Sequence, residues 1–237
     1  MNALLSGLLV GASQPMESVG DWADRLAGDD ASPLTQQFVN QLDDEWFDAL
    51  PPDDFCQQIT AQARARIAVW HPGWPHLWAH VLRVTGVAVA LAEEARIDPV
   101  LAYLMGMCHD VAKLDEMRSG EPHEETGAAF ARRVLRGHLA PADIDSIQAA
   151  ILKEGDDALG DILHDADKLD KIGAAGIVRR ASTATRRSWL PEALWRVGDD
   201  AARFPAMHFD LSDDLAHSKL DFLGWFLPRA EAAVGDA

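Results

Sequence analysis

The stretch Met107-Cys108-His109-Asp110-Val111-Ala112-Lys113 decides the fold. It closes an apolar run, Val100-Leu101-Ala102-Tyr103-Leu104-Met105-Gly106, of helical length and without an interior proline. The run predicts a buried helix that delivers His109 and Asp110 to the floor of a cavity. An imidazole and a carboxylate held rigidly side by side make half of a site for a divalent cation. His-Asp pairs occur by chance, so the other half has to come from elsewhere in the chain.

Two segments offer it. Upstream, His76-Leu77-Trp78-Ala79-His80-Val81-Leu82-Arg83-Val84 opens a helix, with His80 one turn before Val84. Downstream, Ile162-Leu163-His164-Asp165-Ala166-Asp167-Lys168-Leu169-Asp170 sets three aspartates along a second partly apolar helix. His80, His109, Asp110 and an aspartate of that run make a shell of two imidazoles and two carboxylates from three helices. Such a shell leaves positions open for water and substrate.

With these segments in place, the chain resembles the HD-domain superfamily of metal-dependent phosphohydrolases, whose signature is H…HD…D. It is most similar to small bacterial HD proteins whose last motif reads D-A-D-K-L-D-x-x-G-x-x-G-x-x-R. Here that motif stands as Asp165-Ala166-Asp167-Lys168-Leu169-Asp170, Gly173, Gly176 and Arg179. The motifs together span about residues 70–182. Of the three aspartates the resemblance selects Asp167, the one followed by Lys-Leu, so that the implied ligands are His80, His109, Asp110 and Asp167. Asp165 then supports a ligand and Asp170 orients one.

The resemblance also implies an activity: hydrolysis of a small phosphate ester, a nucleotide first among them, with release of phosphate or pyrophosphate. Asp110 or a neighbour would accept the proton of the attacking water. His123, where relatives often carry a histidine, would serve as general acid, and Lys113 would steady phosphoryl charge. Arg83, three residues after His80, would hold a phosphate or a motif aspartate. The structural alternatives are a solvated Lys113 at a helix end and an internal ion pair for Arg83. Relatives with two metals carry a further histidine after an apolar helix. This chain reads Ala149-Ala150-Ile151-Leu152-Lys153-Glu154-Gly155 there. One divalent ion (Mn, Co, Fe, Ni or Mg) is therefore expected; Glu154 could serve as an oxygen ligand for a second, and Glu124 and Glu125 offer further carboxylates that a charged first helical turn explains. The rival functions are an HD-type di-iron oxygenase, which needs that second set of histidines, and a non-catalytic HD domain binding a nucleotide or a partner protein.

Composition narrows the partners. The net charge of -17 and 48% hydrophobic residues describe an acidic chain with ample core. A long nucleic acid is excluded as substrate on charge, since a basic face supplies most of the affinity for a phosphate backbone. Cys56 and Cys108 fall in no metal or redox spacing and read as reduced, packed thiols of a cytoplasmic protein. The apolar start, Met1 to Ala12, lacks a positive flank and is too short to span a bilayer, so no membrane partner is expected. A homodimer is compatible with all of this.

Elsewhere the chain reads as helices between punctuation marks. Phe38, Leu42, Trp46 and Phe47, with Leu50, recur at helical spacing until Pro51-Pro52, and Asp53 or Asp54 caps a helix reaching Trp70. The His80 helix stops near Arg96, and Asp98-Pro99 opens the next. Met117 to Pro122 reads as loop, His123 to Arg136 as helix ended by Gly137, Ala140-Pro141 as another opening, and Leu211 to Ala233 as a last helix. His138 and His164 are assigned structural roles, and His71, His76, His208 and His217 peripheral ones. Trp74 and Trp78 read as core packing ahead of a wall for a nucleobase. No stretch alternates with period two. The fold class is all-α: an HD-domain helical bundle over 61–190, a partly helical extension over 1–60, and a helical segment over 191–237 packing on the bundle.

Overall fold

The computed structural model describes residues 33–44, 47–70, 75–153, 157–183 and 189–235. Among these it contains eleven helices and no strand. The all-α expectation holds. The apolar start, the lead-in before Pro33, Trp46, His71, Trp74 and Glu154 lie outside the described residues.

The chain divides into two compact units. One comprises Phe47–Asp167 with Met207–Ser212. It holds α2 (Asp54–Trp70), α3 (Pro75–Ala95), α4 (Pro99–Cys108), α5 (Lys113–Ser119), α6 (His123–Leu135), α7 (Pro141–Leu152) and all but the end of α8 (Ala158–Leu169). At the centre is α4, packed against α2, α3, α6 and α7. Its residues Ala102 to Cys108 are all buried, as an apolar helix enclosed by neighbours requires. Each large side chain in that run stabilises the fold by about 1.5–3 kcal/mol through burial. Tyr103 is fully buried, and its hydroxyl shares a 2.7 Å hydrogen bond with Thr60 Oγ1 of α2.

Local signals set the boundaries. Asp53 accepts from the Cys56 amide at 2.7 Å and caps α2. Asp98 accepts from the Val100 amide at 2.9 Å, with Pro99 in the first turn of α4. Arg96 ends α3 with a φ of 59°, and Gly120 ends α5 with a φ of 76°.

Two boundaries differ from the sequence expectation. The helix begun at Phe38 stops at Asp44, leaving Phe47–Leu50 irregular and Leu50 73% exposed. Met117–Ser119, read as loop, belongs to the short helix α5.

The other unit comprises the described parts of Met1–Trp46, Lys168–Ala206 and Asp213–Ala237. It contains α1 (Pro33–Asp44), α9 (Gly173–Thr183), α10 (Trp189–Ala202) and most of α11 (Asp210–Gly235). Here α9 packs on α1 and α10, and Phe38 meets Phe222 and Phe226 with ring centroids 6.2 and 5.4 Å away. Asp170 and Arg179 of the last sequence motif form an ion pair at 3.2 Å within this unit, and Arg180 pairs with Asp200.

Candidate metal centre

Two glycines bring the site together. Gly106 lies one turn before His109, and a Cβ there would come within 2.5 Å of Thr85 Oγ1. Only glycine lets α4 approach α3 so closely. The Thr85 hydroxyl is held at this contact by donating to the Val81 carbonyl at 2.7 Å. On the other side, a Cβ on Gly127 would meet the His109 carbonyl at 3.0 Å. The start of α6 is thereby drawn against the His-Asp turn.

At that turn α4 ends. His109 Nδ1 donates to the Gly106 carbonyl at 2.7 Å, taking an acceptor that a further helical turn would use. This bond fixes the ring and its tautomer, so Nε2 is left with a lone pair aimed inward. Facing it at 3.3 Å is His80 Nε2. Asp110 Oδ2 lies 3.3 Å from His80 Nε2 and 3.8 Å from His109 Nε2. Asp167 Oδ1 closes the group, 3.6 Å from His80 Nε2. His80, His109 and Asp110 are buried, and Asp167 is partly open to solvent. The structure thus gathers His80, His109 and Asp110 into one cluster and sets Asp167 beside His80. Two imidazole nitrogens that face each other beside two carboxylates fit a divalent cation in mixed nitrogen and oxygen coordination.

The electrostatics agree with that fit. Burial pushes the His109 pKa down, and the opposing pull of Asp110 does not offset it, so the ring stays neutral and able to ligate. Burial would raise the Asp110 pKa, but the imidazoles of His109, His123 and His80 outweigh it and hold the carboxyl well below its usual range.

His123, the first residue of α6, stands on the far side of Asp110. Its Nε2 donates to Asp110 Oδ1 at 3.1 Å. Its Nδ1 faces Glu116 Oε2 at 2.8 Å and Glu124 Oε2 at 3.1 Å. Carboxylates facing both nitrogens favour the protonated ring, and the nearby Lys113 ammonium opposes it. Burial works against the charged ring, yet the bond to Asp110 prevails and its pKa is raised. Lys113 places Nζ 3.0 and 3.2 Å from the two ring nitrogens. Arg83 lies half-buried on α3, one turn beyond His80. Lys153 reaches Glu124 Oε1 at 2.7 Å.

Three participants escaped the sequence reading. Gly106 and Gly127 carry no side-chain chemistry, and Glu116 stands just before the segment read as loop, Met117 to Pro122, with no motif to mark it. His208, read as peripheral, binds Asp165 by both its amide and its ring. Trp78 is buried, as core packing requires.

The HD domain family model matches residues 77–172. That segment is an HD domain. The match runs from just before His80 to just beyond Asp170 and supports a metal-dependent hydrolase. Among solved structures, a predicted HD superfamily hydrolase from an uncultured Thermotogales bacterium is 23% identical. It superposes with a TM-score of 0.58 over 75% of this chain and 91% of its own. YpgQ of Bacillus subtilis is 19% identical with a TM-score of 0.57 over 76% and 93% of the two chains. The same protein in complex with ADP gives 20% and 0.56 over 76% and 94%. At these identities the likeness is one of fold. No curated protein matches the chain. Among the described residues, no helix is long and apolar enough to cross a membrane.

Proposed function

We propose that this HD domain is a phosphohydrolase that cleaves a small phosphate ester, a nucleotide being the substrate class. The observation that carries the reading is the convergence of His80, His109 and Asp110 beside His123, whose ring nitrogens face the carboxylates of Asp110 and Glu116. A divalent ion held by these residues and Asp167 would polarise a phosphoryl oxygen and lower the pKa of water at the site. His123 is poised to give a proton to the departing oxygen, and the Lys113 ammonium is placed to offset negative charge on the phosphoryl group. A carboxyl with as low a pKa as Asp110 is a weak proton acceptor, so its role narrows to ligand and acceptor of the His123 hydrogen bond.

A nucleotide is supported by the ADP bound to YpgQ, a protein of the same fold. Where two-metal relatives carry a further histidine this chain has Lys153 or Glu154, which weighs against the di-iron oxygenase. The test is turnover by chelator-treated protein resupplied with Mn2+ against a panel of nucleotides, reading phosphate and pyrophosphate. His123→Gln is expected to lower kcat by about 10²–10⁴-fold, the range of general acid catalysis, with Mn2+ binding retained. No product from any nucleotide would overturn the reading.

A further inference from the structure

We infer that the chain holds a second cation site, formed by His164, Asp165 and His208 and separate from the HD cluster. On α8, Asp161, His164 and Asp165 lie on adjacent turns; His208 belongs to the segment Met207–Ser212 of the same unit. The Asp165 side chain is fully buried. Its Oδ2 accepts from the His208 amide at 2.7 Å and from Ser212 Oγ at 2.5 Å. Those two donors fix the carboxylate and aim Oδ1 at two imidazoles. His164 Nδ1 stands 3.0 Å from it and His208 Nδ1 2.7 Å. The rings meet edge to face with centroids 5.0 Å apart, and the three ligand atoms lie within 4.8 Å of one another.

This arrangement has the parts of a metal site. Metal–ligand distances of about 2.0–2.2 Å put neighbouring ligand atoms of a tetrahedral shell about 3.3–3.6 Å apart, so the two Nδ1 atoms, now 3.0 and 2.7 Å from Oδ1, need open only slightly to admit an ion. His208 Nε2 faces Asp161 Oδ1 at 3.4 Å. A histidine ligand commonly gives its distal N–H to such a carboxylate, which fixes the tautomer that leaves the other nitrogen free to bind. Without a cation both Nδ1 atoms donate to one oxygen. With one, both give up those protons and bind it beside Oδ1. Two imidazoles to one carboxylate select Zn2+, Ni2+ or Cu2+ over Mg2+ or Ca2+. His164 and His208, 36% and 42% exposed at the side chain, leave the ion open to solvent on one side. Such an ion would tie the Met207–Ser212 segment to the helix that carries Asp167.

Equilibrium dialysis of the full chain against Zn2+, followed by elemental analysis, tests this with wild type, His164→Gln, His208→Gln, Asp161→Asn and Asp110→Asn. Loss of one equivalent in both histidine variants, with that equivalent kept in Asp110→Asn, is the expected result. Asp161→Asn should weaken binding there by roughly 10–100-fold, as loss of a ligand-orienting group does. Because His164 is partly exposed, His164→Gln keeps the fold and decides the matter if His208→Gln does not. Zn2+ uptake in folded His164→Gln equal to wild type would overturn the proposal.

Discussion

Asp165 shows how much a single side chain can settle. It lies two residues from Asp167, yet it faces the Met207–Ser212 segment, where an amide and a hydroxyl donate to its Oδ2. Asp165→Ala orphans those donors, and at about 1–3 kcal/mol for each unsatisfied buried group the loss should reach roughly 2–6 kcal/mol. Chemical denaturation in the presence of chelator measures it directly. A smaller effect is expected from Lys153 and Glu124, since Lys153 is largely exposed. Burial raises the Glu124 pKa, but the Lys153 hydrogen bond outweighs it and the net shift is downward from 4.5. A lowered carboxyl pKa stabilises the fold above its ordinary value and loses that contribution as pH falls through the folded value. Lys153→Met should therefore cost less than about 1 kcal/mol near neutral pH, and the difference from wild type should vanish on acidification below 4.5. Thermal unfolding at a series of pH values reads both arms.

At the scale of elements, the site exists because α3, α4 and α6 approach one another unusually closely. Gly106→Ala puts a methyl group within 2.5 Å of Thr85 Oγ1 and forces α4 away from α3. Overpacking of this kind costs about 1–3 kcal/mol, and it should weaken metal binding as well because His109 moves with its helix. A Gly106→Ala protein with unchanged stability and unchanged metal affinity would show that the contact does not set the site. The helices around the cluster were legible from apolar spacing, the Asp98-Pro99 opening and the glycine stops, whereas α10 and the end of α5 carried no such mark. The end of α4 was not legible either, because it depends on the His109 ring taking the Gly106 carbonyl, a choice made in three dimensions. Nor was the part played by His208, which approaches Asp165 from 43 residues away along the chain. Local patterns record which residues can ligate; distant pairings appear only once the chain is folded.

For the whole molecule, the net charge of -17 predicts that duplex DNA and long RNA will give no mobility shift at physiological salt, because no general attraction to a phosphate backbone exists. A nucleotide remains acceptable, since cationic groups at the site set the local field. Salt-dependent retention on a polyanion would contradict that division. The account rests above all on the convergence of His80, His109, Asp110 and Asp167. Its most direct test is Mn2+ bound per chain in chelator-treated protein, wild type beside Asp110→Asn, since Mn2+ favours oxygen-rich shells over the imidazole pair at His164 and His208. One equivalent in wild type that is lost in a folded Asp110→Asn protein is the predicted result. Equal binding in the two proteins, or none in either, would contradict it.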